Sequence, residues 1–180
     1  MSEHENPMSI RSKNALSEAL LKLMIHTPLN DITISDITHK ARLSRQTFYT
    51  NFSKKEDILK YLIDGLFDRY SHHLTDFHSD PSSLLVDYFF YWDQHRDFLV
   101  LLFRHKQGYI FQEQNRSFFR KNESLSHILT HDEQKQPYIR ASLAGLTYEL
   151  LWLWLTDDEG LSIDKLTILA GNLLAGNIFV

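Results

Sequence analysis

The chain has 180 residues, of which 43% are hydrophobic, 23% charged and 13% aromatic, a composition typical of a globular protein with a sizeable core. It contains no cysteine, which excludes disulfides, thiolate metal sites and a cysteine nucleophile. With only six glycines and four prolines, the chain favours long helices over a β fold with many turns.

Charge is distributed unevenly along the sequence. The net charge is −4, but residues 1–55 hold eight basic and five acidic groups, which gives +3 there and −7 for the remainder. A basic N-terminal part joined to an acidic remainder is typical of a DNA-binding domain followed by a second domain. No secretory signal and no sufficiently long apolar run is visible, so a cytoplasmic protein without a membrane partner is predicted.

All elements predicted along the chain are helices. Residues 1–8 are predicted to be a disordered tail, 9–55 a helix-turn-helix domain and 56–180 a larger helical domain. Helix 1 is expected from about Ser9 to His26, because apolar residues recur there at helical spacing. Side chains that can cap backbone amides mark the starts of helices 2, 3 and 4: Thr33 with Asp36, Ser44, and Ser53 with Glu56. Further helical patterns lie near 81–94, 96–106, 109–130, 135–156 and 162–179.

Helices 2 and 3 form a helix-turn-helix pattern, two short helices joined by a tight turn, with polar and basic residues on the open side of the second. The segments 32–37, 41–49 and 52–59 resemble the TetR family signature in residue type and spacing, within a resemblance that covers roughly residues 9–60. It implies an all-α protein with a DNA-binding head and a C-terminal ligand and dimerisation domain. Arg42 stands where the family usually has glycine, which would cost about 1 kcal/mol at a positive φ.

The resemblance assigns DNA-contacting roles position by position. Arg45 and Gln46 begin the recognition helix and are the base-reading candidates, since Arg can bridge guanine O6 and N7 and Gln can bridge adenine N6 and N7. Phosphate contacts are also expected at the amide ends of helices 2 and 4. The other predicted DNA-binding residues are Thr33, Arg42, Ser44, Thr47, Tyr49, Asn51 and Lys55. For a residue that can cap or pack, such as Thr33 or Tyr49, a purely structural role is an equal alternative.

The sequence of the larger domain, residues 56–180, is less specific to one family than that of the helix-turn-helix domain. Its aromatic run 88–92 is similar to a TetR branch linked to dihydroxyacetone-kinase regulators. The family implies an effector cavity, for which the candidates are Phe67, Tyr88, Trp92, Phe103, Tyr109, Phe118, Tyr148 and Trp152; the alternative is that these rings form core. The predicted homodimer surface comprises Leu143, Leu146, Leu150, Leu153, Leu166, Leu169, Leu173 and Ile178, and the alternative is that these faces close the monomer core.

Other site classes are poorly supported by the sequence. The histidine groups His72, His73 and His78, and His127 with His131, lack a matching carboxylate pattern, so no metal and no cofactor are predicted. No phosphate loop or nucleophile elbow appears, so no enzyme is predicted. Two functions stay open. One is a homodimeric repressor released from a near-palindromic operator by a small effector. The other is a TetR-like co-regulator that acts through a protein partner, with weak or no DNA binding.

Overall fold

A computed structural model of the chain describes residues 6–74, 81–125 and 132–175. Within these ranges every regular element is helical, which confirms the predicted all-α fold of about nine helices. The α-helices of the described residues are α1 (Pro7–Met24), α2 (Ile34–Ala41), α3 (Arg45–Asn51), α4 (Lys55–His73), α5 (Pro81–Asp93), α6 (Arg96–Arg104), α7 (Gly108–Lys121), α8 (Gln136–Thr156) and α9 (Ile163–Ala175). Short 3₁₀ turns occupy Leu29–Asp31 and Glu123–Leu125. In the described part of the chain, no helix is long and apolar enough to cross a membrane.

The chain forms two compact units. The first unit ends at Gly65 and the second unit begins at Leu66, so α4 contributes residues to both. The boundary predicted after residue 55 coincides with the start of α4, whereas the first unit continues to Gly65.

Helix α1 begins at Pro7, two residues before the predicted start. The Oδ1 atom of Asn6 accepts the amide of Met8 at 3.0 Å, and proline at the first helical position has no amide to satisfy. The predicted tail of residues 1–8 is therefore corrected at Pro7 and Met8, and residues 1–5 lie outside the described residues.

The first unit is built around one small hydrophobic core. Helix α1 packs on α2 and α3, and α2 packs on α3. The buried side chains that fill this core are Leu16, Leu20, Met24, Leu29, Ile32, Ile37, Phe48, Phe52, Ile58, Leu59 and Ile63. Because each of α1 to α4 contributes to the core, the two short helices α2 and α3 are held by tertiary packing despite their length.

The second unit has an aromatic core. Helix α5 packs on α9, and α8 packs on α6 and α7. The ring of Trp92 lies 4.7 Å from those of both Phe67 and Phe111, measured between centroids. At the start of α7, a Cβ on Gly108 would lie 2.4 Å from the Phe103 ring, so a larger residue there would force that ring to shift.

A buried polar network joins α5, α7 and α8. The hydroxyl of Tyr88 donates to Asn115 Oδ1 at 2.9 Å, and Asn115 Nδ2 donates to the carbonyl of Ala144 at 2.9 Å and to Thr147 Oγ1 at 3.1 Å. The side chains of Tyr88, Asn115 and Thr147 are fully buried, and burial raises the pKa of the Tyr88 hydroxyl. Since each buried polar group needs its partner, the network fixes the relative positions of the three helices.

Helix α7 ends at Lys121, well before the predicted end near residue 130. The guanidinium of Arg140, on α8, donates to the carbonyl of Phe119 at 2.6 Å and to that of Asn122 at 2.9 Å. A cation that binds the last carbonyls of a helix stabilises its C terminus. The helical period alone did not reveal this stop, because Arg140 lies far along the chain.

Candidate nucleic-acid interface

The helix-turn-helix begins with the capping box predicted at Thr33 and Asp36. Thr33 Oγ1 accepts the amide of Asp36 at 3.1 Å, and Asp36 Oδ2 accepts the amide of Thr33 at 2.8 Å. The hydroxyl of Thr33 is the main cause that holds the pKa of the Asp36 carboxyl below its usual value, and the Thr33 amide adds to it. Helix α3 is capped by Ser44, whose Oγ accepts the amide of Thr47 at 3.0 Å. The starts of α2 and α3 thus agree with the predicted caps.

The turn between α2 and α3 depends on Arg42. This residue has φ 55° and ψ 41°, in the left-handed region that favours glycine. Its amide donates to the carbonyl of His39 at 3.1 Å, and the next amide, of Leu43, donates to the carbonyl of Thr38 at 2.9 Å. This pair of hydrogen bonds is a Schellman motif. The structure therefore confirms a positive φ at the position where the family usually has glycine, and it leaves the Arg42 side chain exposed.

Helix α3 is anchored by one buried side chain and carries several exposed ones. The ring of Phe48 is fully buried in the core of the first unit. Arg45 and Gln46 are exposed, and Tyr49 is 54% exposed, so these three predicted DNA-contacting residues are accessible. Thr47 is half-buried, and its hydroxyl is 2.8 Å from that of Ser44.

Asn51, predicted to contact phosphate, forms hydrogen bonds inside the first unit. Its Nδ2 donates to the carbonyl of Thr47 at 2.7 Å, and its Oδ1 accepts the hydroxyl of Ser9 at 2.7 Å. The side chain is half-buried. Asn51 therefore ties the end of α3 to the start of α1.

Lys55 is likewise engaged with the protein itself. Its ammonium donates to the carbonyl of Leu29, to that of Asn30 at 3.2 Å and to that of Ile32 at 2.8 Å. An ammonium has three N–H donors, so these three carbonyls account for all of them. The expected contact with phosphate would have to displace one of these bonds.

Carboxylates already occupy amides at the starts of α2 and α4, where phosphates were expected. At α4 the carboxylate of Asp57 accepts the amides of Ser53 and Lys54, each at 2.9 Å. The predicted capping partner was Glu56, so this assignment is corrected by one residue. With Asp36 at α2 and Asp57 at α4, a negative charge lies close to both helix starts and disfavours a phosphate there. The first turn of α3 carries no acidic residue.

The eight predicted effector-pocket residues do not share one environment. Four of them are buried in the aromatic core: Phe67, Tyr88, Trp92 and Phe118. Phe103 and Tyr148 are half-buried, while Tyr109 is 53% and Trp152 43% exposed. A groove in the second unit is lined by other residues: Leu150, Leu153, Trp154, Asp157, Gly160, Leu161, Leu166 and Leu169. The eight aromatic candidates thus include buried, half-buried and exposed positions. The aromatic pattern gave no signal for the buried Asn115 and Thr147.

The predicted dimer residues divide in the same way. Leu143 and Leu166 are buried in the second unit, whereas Leu153 is 54% exposed. The intermediate positions are Leu146, Leu150, Leu169 and Leu173, and Ile178 lies outside the described residues. Sequence reasoning missed Ile168, which is 64% exposed on α9.

The histidines show no metal arrangement in the parts of the chain that the structure describes. No group of three or more metal-ligating side chains comes together in residues 6–74, 81–125 and 132–175. His73 Nε2 lies 3.0 Å from Asp87 Oδ1. His78, His127 and His131 lie outside the described residues.

Comparison with known proteins gives a family match and curated relatives. Residues 12–62 match the model for bacterial regulatory proteins of the tetR family. The chain is 28% identical over 78 residues to the HTH-type dhaKLM operon transcriptional activator DhaS of Lactococcus lactis, a match covering 43% of this chain and 42% of that protein. It is 36% identical over 67 residues to the uncharacterized HTH-type transcriptional regulator YxbF of Bacillus subtilis, covering 37% of this chain and 18% of that protein. The chain thus matches less than half the length of either relative.

Solved structures extend the likeness to most of the chain. A TetR transcriptional regulator from Streptococcus agalactiae covers 93% of this chain and 95% of its own, with a TM-score of 0.65 and 23% identity. The dihydroxyacetone kinase operon activator DhaS covers 94% and 97%, with a TM-score of 0.55 and 22% identity. At these identities the structures show a shared fold. Residues 12–62 thus match the tetR family model, and most of the chain shares the fold of these regulators.

Proposed function

We propose that the chain acts as a homodimer that reads a near-palindromic operator through α3 of each copy. The observation that carries the proposal is that α3 combines a buried anchoring side chain with exposed polar ones. Phe48 is fully buried and fixes the helix, while Arg45 and Gln46 are exposed beside it. A helix held in this way can enter the major groove, where these two side chains can bridge base edges.

The proposed phosphate contacts are fewer than the sequence suggested. Arg42 and Tyr49 are exposed on either side of the base-reading pair along the chain. Lys55 and Asn51 are occupied by internal hydrogen bonds. The proposed DNA surface therefore consists of Arg42, Arg45, Gln46 and Tyr49, in which phosphate contacts set register and the base contacts set sequence preference.

Exposed apolar side chains on α8 and α9 support the homodimer part of the proposal. Leu153 and Ile168 are more than half exposed. A Cβ placed on Gly145 or Gly171 would meet nothing within 4 Å, so both backbones are open to close approach by another helix. In a two-fold dimer such surfaces pair with their own copies, and each copy then presents α3 to one half of a palindrome.

The direction of regulation and the effector belong to the same proposal. DhaS of Lactococcus lactis is named an activator, whereas the sequence of this chain favours a repressor released by a small effector. A reporter assay that compares promoter output with and without the protein distinguishes activation from repression. An effector must bind the two states of the dimer with different affinity in order to shift them.

The test of DNA binding is the salt dependence of affinity for a mixed-sequence duplex. We expect the logarithm of the affinity to fall linearly with the logarithm of salt concentration, and Arg42→Ala to reduce the slope by about 0.9, the share of one phosphate contact. Arg104→Ala, at the exposed end of α6, is the matched control and should leave the slope unchanged. Absence of salt-dependent binding in the unmodified chain would contradict the proposal and favour action through a protein partner.

A further inference from the structure

The three hydrogen bonds of Lys55 converge on one short segment of backbone. The acceptors are the carbonyls of Leu29, Asn30 and Ile32, which precede Lys55 by 26, 25 and 23 residues. They lie in and directly after the 3₁₀ turn Leu29–Asp31, where the chain prepares to enter α2. The contact is therefore long-range in sequence and joins the first residue of α4 to the residues before α2.

The segment is fixed from its opposite side as well. The side chains of Leu29 and Ile32 are buried in the core of the first unit. The turn itself is closed by the amide of Asp31, which donates to the carbonyl of Pro28 at 2.9 Å, and by that of Ile32, which donates to the carbonyl of Leu29 at 3.2 Å. Thr33, the next residue, caps α2. Apolar packing and the ammonium thus both hold the residues directly before α2.

We infer that Lys55 is a positioning residue, which holds the start of α2, and with it the α2–α3 pair, against the first turn of α4. Its positive charge is satisfied by three backbone dipoles within the first unit, and its contribution to DNA binding is to orient α3. The inference rests on the proposed function only for that last consequence. The contact between Lys55 and residues 29–32 can be tested without DNA.

Lys54 supplies a matched control. It carries the same charge, adjoins Lys55 and is exposed, whereas Lys55 is half-buried. Lys54→Met and Lys55→Met therefore remove equal charge from neighbouring positions, and only the second removes the ammonium from the carbonyls. Lys55→Arg keeps the charge but replaces a compact ammonium by a planar guanidinium, whose fixed fork does not match three converging carbonyls.

The experiment measures two properties of the full chain and of these three variants. Amide hydrogen exchange, followed by mass spectrometry, reports the local stability of residues 29–37. The salt dependence of affinity for a mixed-sequence duplex reports the number of phosphate contacts. We expect Lys55→Met and Lys55→Arg to speed exchange in residues 29–37 at least several-fold, Lys54→Met to leave it unchanged, and Lys55→Met to retain the salt slope of the unmodified chain.

Two results would overturn the inference. One is unchanged exchange over residues 29–37 in Lys55→Met. The other is a salt slope that becomes shallower by about 0.9 in Lys55→Met, because Lys55 would then contact a phosphate. If the unmodified chain bound no DNA at all, the proposed function would fail, and the exchange measurement would still decide whether Lys55 holds the segment before α2.

Discussion

Arg42 and Lys55 show how differently two basic side chains are used in the first unit. The family resemblance predicts a DNA contact for both residues. Arg42 is exposed on a residue with a left-handed backbone, while the ammonium of Lys55 is consumed by three carbonyls. A Cβ at this φ costs free energy that glycine would not, and we propose that the exposed Arg42 side chain contacts a phosphate, which glycine could not do.

Replacement of Arg42 by glycine is expected to stabilise the first unit by up to about 1 kcal/mol, because glycine adopts a positive φ without steric cost. The same substitution should weaken DNA binding, since the guanidinium is lost. Arg42→Ala is the control, because it removes the side chain but keeps the cost of a Cβ at this φ. The free energy of unfolding in urea measures the difference, and equal stability of the Arg42→Gly and Arg42→Ala variants would show that the backbone here is not strained.

Residue roles that depend on near neighbours were the ones that the sequence could predict. The caps at Thr33 and Ser44 act within three residues, and both are present. At α4 the same reasoning chose Glu56, although Asp57 accepts the amides, because either carboxylate can reach back to the start of the helix. The contacts of Lys55 could not be predicted, since its acceptors lie more than twenty residues away.

At the scale of elements, periodicity predicted helices but not which of their faces are buried. The leucines of α8 keep one seam in sequence, yet Leu143 is buried and Leu153 is exposed along that seam. On α9, Leu166 faces the core and Ile168 faces solvent. Which side of an amphipathic helix is covered depends on its neighbours, and a helix that is apolar on more than one side carries no signal of that choice.

The polar network among α5, α7 and α8 predicts a strongly coupled response to mutation. Asn115→Leu should lower the free energy of unfolding by about 1–3 kcal/mol, because Tyr88, Thr147 and the carbonyl of Ala144 lose a buried partner. Glu113→Leu, at an exposed position of the same helix, is the control.

A double-mutant cycle with Tyr88→Phe tests the coupling. The phenylalanine ring introduced by this substitution has no hydroxyl that needs a partner, so the combined loss of stability should be smaller than the sum of the two single losses. Urea denaturation measures the unmodified chain, the two single variants and the double variant. Strict additivity would mean that the bond between Tyr88 and Asn115 does not hold these helices together.

At the scale of the whole molecule, homodimer formation is the next requirement of the proposed function. Ile168→Asp places a charge on the most exposed apolar side chain among the described residues of α9, and we expect it to shift the chain from dimer to monomer at micromolar concentration. Ile25→Asp, at an exposed apolar residue of the first unit, should leave the dimer intact. Light scattering coupled to size-exclusion chromatography measures both, and an intact dimer in Ile168→Asp would place the interface elsewhere.

Sequence reading by α3 is tested most sharply by selection of bound sequences from a random pool of duplex DNA, using the full chain. We expect a two-fold symmetric motif with two half-sites. We also expect Arg45→Ala to recover a motif that is degenerate at one position of each half-site, since one Arg–base contact is lost from each. Recovery of no motif, or of a motif that is unchanged by Arg45→Ala, would contradict the assignment of α3 as the sequence-reading helix.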